Sequence, residues 1–192
     1  ETGKTTIGKQ QIGSYGLYFG RVTEEKGVET VIKAYEKLPE YTVKIMGDDT
    51  TDEAKRLKKY VENHKMKNVE FLGFKSGAEL ENVIKGARFT LIPSIWYDNL
   101  PNTALESFQY SKPVIASNIG SLPELVIDGE NGYLFKPSNV EDLIKKIKML
   151  DDDTLVKKMG QASRKRLESR FAPQTHYEDL MKIFNEAVKS RK

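Results

Sequence analysis

A chain of 192 residues, 38% of them hydrophobic and 31% charged, has enough apolar material for one domain with a proper core. It has no cysteine and only His64 and His176, which excludes disulfides, thiol chemistry and a histidine-rich metal site; no apolar run approaches the ~18 residues of a membrane helix. The net charge of +3 comes from lysines set beside acids, as in "EAKRLKKYVENHK" and "EDLIKKIKML", a pattern of solvated helix faces rather than a nucleic-acid stripe.

Residues 1–13 read as a polar linker or expression remnant. Gly3-Lys4-Thr5 is similar to the end of a phosphate-binding loop but lacks the preceding strand and upstream glycine that such a loop needs. The chain opens Glu1-Thr2 without an initiator methionine, so it reads as a piece of a longer protein. The domain itself runs from 14 to 192. Its predicted elements begin with a strand at Tyr15–Phe19 and a helix from Val28 to Leu38, with Val28, Val31, Ile32 and Tyr35 on one face. A strand at Thr42–Met46 precedes a charged helix from Thr51 to His64. The third strand, Val69–Leu72, leads to a helix from Ser76 to about Lys85. The fourth, Phe89–Ile92, leads to the helix that contains Glu106. Strands at Val114–Ala116 and Gly132–Phe135 follow, then helices over Val140–Leu150, Thr154–Ser169 and Gln174–Ser190.

Strand–helix alternation at this pitch predicts βαβ units, a mostly parallel six-stranded sheet and a doubly wound, Rossmann-like α/β fold. In the strand order 3-2-1-4-5-6 ligands bind where the sheet reverses, at the carboxyl ends of strands 1 and 4. The loops there are "GRVTEEKG", residues 20–27, and "PSIWYDNLPN", residues 93–102. The first carries Arg21 and Lys26, which are either surface charge paired with Glu24 and Glu25 or a clamp on phosphate oxygens.

In the second loop, Leu100 precedes a proline and is pushed out of the helical region. Pro101 is expected at the first helical position, leaving the N–H groups of Asn102, Thr103 and Ala104 free to meet an anion. Asp98 and Asn99 are then either helix caps or site residues. Glu106 lies about 7 Å beyond Pro101 along the axis, within reach of the ribose of a nucleotide seated on the helix start, unless it is a plain surface acid. Trp96 reads as a rim or packing residue. Gly47-Asp48-Asp49 is a weaker candidate for the pocket edge.

The pattern "GR-x4-KG", then "PS-x3-D-x7-E-x6-KPVIAS-x2-G-x2-E-x4-G-x2-G", resembles the carboxy-terminal half of a retaining glycosyltransferase with the GT-B fold, of the large family 4, from about Tyr15 to the end. The resemblance implies that Arg21 and Lys26 hold the diphosphate of the donor and that Glu106 holds the ribose. Asp98 stands where the family's first acid touches the donor sugar, making Arg21, Lys26 and Asp98 the implied catalytic residues. Asp98 is one methylene shorter than the usual glutamate, and "DNLPN" replaces the commoner "EGFG". Gly20, Phe74, Lys75, Asn99, Leu100, Asn102 and Thr103 complete the implied donor set, with Gly73-Phe74-Lys75 beside the nucleobase. Ile119-Gly-Ser-Leu-Pro-Glu124 resembles the family's turn into a short helix, with Glu124 expected to be structural rather than catalytic.

The implied reaction moves a sugar from a nucleoside diphosphate sugar, such as a UDP- or GDP-sugar, to a hydroxyl acceptor without cofactor or metal. The partner is an amino-terminal domain absent from this chain, which alone is then inactive. No nucleic-acid partner is expected. The implied location is the cytoplasm, with the membrane surface open through the absent half. A sugar-nucleotide epimerase or other GT-B relative is the alternative enzyme. A dinucleotide oxidoreductase is disfavoured because the first strand lacks G-x-G-x-x-G after it. A non-enzymatic binding module is the remaining alternative.

Overall fold

The computed structural model describes residues 12–190. The Gly3-Lys4-Thr5 triplet and all of the linker reading except Ile12 and Gly13 lie outside the described residues. Ile12 already packs against the main core, ahead of the boundary read from the sequence.

Six strands form one sheet in the order β3-β2-β1-β4-β5-β6, and every neighbouring pair is parallel. The strands are β1 (Tyr15–Phe19), β2 (Thr42–Met46), β3 (Val69–Gly73), β4 (Ala87–Ile92), β5 (Val114–Ser117) and β6 (Gly132–Phe135). The doubly wound expectation therefore holds, with a sheet that is wholly rather than mostly parallel.

Helices α1 (Val28–Glu36), α2 (Asp52–Asn63) and α6 (Val140–Met149) cover one face, packed on Tyr18, Val43, Ile45, Phe89, Leu91 and Ile115. On the other face Leu17, Phe19 and Met46 pack against α3 (Gly77–Gly86), while Ile92, Val114 and Ala116 pack against α4 (Asn102–Gln109) and the short α5 (Leu122–Leu125). Successive strand residues face opposite layers, so strands covered on both faces read as continuous apolar runs. Helix α7 (Asp153–Arg170) packs on α4 and β6, and α8 (Pro173–Lys189) packs on α7.

Local chemistry sets the boundaries. Thr51, Asn139 and Asp152 cap α2, α6 and α7 by accepting main-chain N–H bonds. One short element is absent from the strand–helix reading, a 3₁₀ turn at Glu24–Lys26, while α5 is the short helix expected after Ile119.

A buried cation was also missed. Lys112, only 2% exposed, donates to the carbonyls of Lys85 and Ala87 at 2.7 Å each and fastens the end of α3 to the sheet. Burial pulls its ammonium down to about 8, and a neutral amine still has the hydrogens for both bonds.

Candidate functional site

The two loops at the switch point are laced to each other along the main chain. Gly27 has φ +68°, and a Cβ there would lie 2.0 Å from the Pro93 carbonyl oxygen, so only glycine lets the loops touch. The Ile95 N–H donates to the Glu25 carbonyl at 2.9 Å, and the Ser94 hydroxyl lies 3.2 Å from the carbonyls of both Glu25 and Trp96. On the other side Gly20 donates to Met46 at 3.0 Å. The Tyr18 hydroxyl donates to the Arg21 carbonyl; burial, then the charges of Asp98 and Glu25, raise its pKa so that the proton stays on. The loop bearing Arg21 and Lys26 is thus fixed before any ligand arrives.

The two cations differ in setting. Arg21 is 73% exposed at the side chain, with Glu25 no nearer than 4.0 Å. Lys26 is mostly covered and its ammonium lies 2.6 Å from Asp98 Oδ1. The second oxygen, Asp98 Oδ2, is buried without a hydrogen-bond partner. A buried acceptor left unmatched costs free energy, so a donor group arriving at that oxygen is favoured. Asp98 itself is held from behind: its carbonyl accepts from the Ser121 hydroxyl at 2.8 Å and from the Ser121 N–H at 3.4 Å.

Helix α4 departs from the expected start. Pro101 is the N-cap residue, with ψ 111°, and the helix begins at Asn102. The Ala104 N–H is not free, because it donates to the Pro101 carbonyl at 3.0 Å; Asn102 and Thr103 are left to offer N–H groups. No side chain caps this helix, so Asp98 and Asn99 are not caps. A buried ladder from Thr90 through Ser107 to the Thr103 carbonyl, at 2.8 and 2.6 Å, pins the helix to β4. Next to that ladder Glu106 is half-buried, and burial raises its carboxyl above the usual range.

Three adjoining concavities share Arg21. The inner one, about 200 Å³, brings Arg21, Lys26 and Asp98 to Gly20, Asn102 and Thr103. A second, about 340 Å³, brings Phe74, Lys75 and Glu106 together and is edged by Gly47 and Asp48. The third, about 500 Å³, lies on the outer side of the Lys26–Asp98 pair and includes Asn99. Ten of the eleven sequence-predicted residues line these concavities. Leu100 lines none of them, its side chain being exposed.

Trp96 sits at the rim, 63% exposed, not in packing. Ser94 and Ser121 were missed as site residues, since small hydroxyl residues bonded to main chain leave no periodic or charge signal. Among the described residues no group of three or more metal-ligating side chains comes together, and no helix is long and apolar enough to cross a membrane.

An uncharacterized glycosyltransferase of Methanocaldococcus jannaschii is 30% identical over 174 residues, covering 90% of this chain and 48% of its own length. The crystal structure of Anabaena HepE in complex with UDP superposes with a TM-score of 0.81 at 23% identity, over 91% of this chain and 49% of that one. The crystal structure of the C-terminal domain of LpcC, a glycosyl transferase group 1 family protein of Francisella tularensis, gives 0.73 at 26% identity, over 84% and 88%. This chain spans about half the length of the curated relatives it matches. The sequence profile "Glycosyl transferases group 1" matches residues 7–166, both switch-point loops included, and the chain belongs to that family.

Proposed function

We propose that the cleft holds a nucleoside diphosphate sugar and that the chain is the donor-binding, carboxy-terminal half of a retaining glycosyltransferase of family 4. The observation that carries this reading is the convergence on Arg21 of a second cation, two helix-start N–H groups and two carboxylates, at the point where the sheet order reverses. Anabaena HepE, solved with UDP, shares the frame. The diphosphate takes the inner concavity, bound by Arg21, Lys26 and the N–H groups of Asn102 and Thr103. The nucleoside takes the second concavity, its ribose on Glu106 and its base beside Phe74. Asp98 Oδ2 accepts from a hydroxyl of the donor sugar.

When the bond from the anomeric carbon to the diphosphate breaks, negative charge grows on oxygens that already face fixed positive groups. Such preorganised electrostatics is usually the largest catalytic contribution. The acceptor is placed by an amino-terminal domain outside this chain, without which no transfer is expected, since orienting the acceptor supplies much of the rate. Tyr177, Phe184 and Val188 on α8, all more than half exposed, are the apolar stripe that such a domain would cover.

The Glu106→Gln variant tests the nucleoside assignment. It should weaken UDP binding by about 1.5–3 kcal/mol, the range for hydrogen bonds to a charged group, while leaving inorganic diphosphate unaffected. Folding should not suffer. With its carboxyl raised by burial, the folded state holds the Glu106 proton more tightly than the unfolded one, so this group's contribution to stability falls as pH rises through that range. Glutamine removes the burden, and the variant should melt no lower than the parent at neutral pH. Equal loss for both ligands in calorimetry would assign Glu106 to the phosphates or to the fold.

A further inference from the structure

Two helices from different parts of the chain help to wall the second concavity. Thr103 and Glu106 come from α4; Leu80 comes from α3, and Phe74 and Lys75 from the segment that leads into it. The spacing of α3 and α4 therefore sets the room left there. Helix α3 is lightly seated at its amino end. Ile84 is its single buried residue, Ser76 gives it no side-chain cap, and the Leu80 N–H reaches the Ser76 carbonyl only at 3.5 Å. A helix with so little burial depends on polar ties for its placement.

Three such ties meet its carboxyl end. The Lys112 ammonium donates to the carbonyls of Lys85 and Ala87, and the Tyr15 hydroxyl donates to the Val83 carbonyl, at 2.7 Å each. The main chain of Lys112 belongs to α4. Ser111 takes a left-handed φ of +54° and its N–H donates to the Phe108 carbonyl at 3.0 Å. The Lys112 N–H then donates to the Ser107 carbonyl at 2.9 Å, which completes a Schellman motif. Ser107 is in turn pinned to β4 through Thr90. One residue fastens α4 with its backbone and α3 with its side chain.

We infer that Lys112 is a positioning residue for nucleoside recognition, one that fixes α3 at its spacing from Glu106 without touching the ligand. Lys112 lines none of the three concavities at the switch point. An ammonium on a long stem suits the task, because it carries three donors and can serve two carbonyls of a neighbouring helix end at once. No residue of α3 lines the inner concavity, so a diphosphate seated there does not sense the fastening. The inference rests on the assignment of the second concavity to the nucleoside.

The experiment compares the parent with Lys112→Met, Tyr15→Phe and Asn68→Ala by calorimetry. The ligands are inorganic diphosphate and whichever of UDP and GDP the parent binds more tightly. Methionine keeps an unbranched side chain and removes the donors. Asn68→Ala is the control: Asn68 Nδ2 fastens the end of α1 in the same manner, donating to the carbonyls of Tyr35, Leu38 and Tyr41 at 2.8, 3.0 and 3.0 Å. Lys112→Met should weaken the nucleotide about fivefold and diphosphate by less than about twofold, within the reach of substitutions that act through another element. Tyr15→Phe should give the same split on a smaller scale, the nucleotide weakening about twofold. Asn68→Ala should lower the melting temperature and produce no split.

Equal loss of both ligands in Lys112→Met, or loss of neither, overturns the inference. A split in Asn68→Ala as large as that in Lys112→Met overturns it too, since general loosening would then be the cause. If Lys112→Met does not fold, Tyr15→Phe decides alone, and a nucleotide affinity equal to the parent's counts against the fastening of α3. A parent that binds neither UDP nor GDP removes the donor reading and this inference with it. A parent that binds a nucleotide no more tightly than Lys112→Met does removes the inference alone.

Discussion

Alanine at position 27 is expected to lower the stability of the domain by about 2–5 kcal/mol and to lower its affinity for nucleoside diphosphates with it. Two costs add. An L-residue held at the left-handed φ of +68° is strained by roughly 1–2 kcal/mol. A methyl group 2.0 Å from the Pro93 carbonyl oxygen also overpacks two backbones that cannot both stay, at about 1–3 kcal/mol. Relief requires the loop of Arg21 and Lys26 to move away from the loop of Asp98, which pulls the inner concavity apart. Gly129→Ala is the matched control, since φ there is +82° but nothing lies within 4 Å of the added methyl. It should show only the backbone cost and keep ligand binding. Denaturant melts and UDP titrations of both variants make the comparison; equal stability losses in the two would mean that the contact at Pro93 carries no weight.

Removing the cations should separate binding from folding. Arg21→Ala and Lys26→Ala are each expected to weaken diphosphate binding by about 1–3 kcal/mol. The side effects differ because the settings differ. Arg21 is exposed and its loss should leave the melting temperature where it was. Lys26 neutralises a largely covered carboxylate at 2.6 Å, so its loss strands Asp98 and destabilises the fold as well. Both residues act on one ligand, so the double variant should lose a different amount from the sum of the singles. A double variant that bound UDP as tightly as the parent would remove the phosphate clamp from the account.

Six strands, their order and the pairing of the two switch-point loops were legible in the sequence because apolar period and turn residues respond to local burial. The helix that carries Glu106 was legible for the same reason, though not its first residue. What escaped was set by contacts between segments far apart in the chain. Pro101 came out one position earlier than expected, as the cap, and its carbonyl takes the Ala104 N–H that the sequence reading left free. The Lys26–Asp98 pair joins residues 72 apart, and Ser121 supports Asp98 from 23 residues away. Lys112 reads as one more surface lysine until the fold closes over it. The outer concavity depends on where the laced loops leave Trp96 and Tyr97, which no periodicity encodes.

The measurement that tests the central claim most directly is calorimetric titration of this chain with UDP against UMP and with GDP against GMP. Two cations and the start of α4 facing one inner concavity require a second phosphate to be worth about tenfold or more in affinity, for at least one of the two bases. Equal affinity for mono- and diphosphate with both bases would contradict a diphosphate cradle at the β1–β4 switch point.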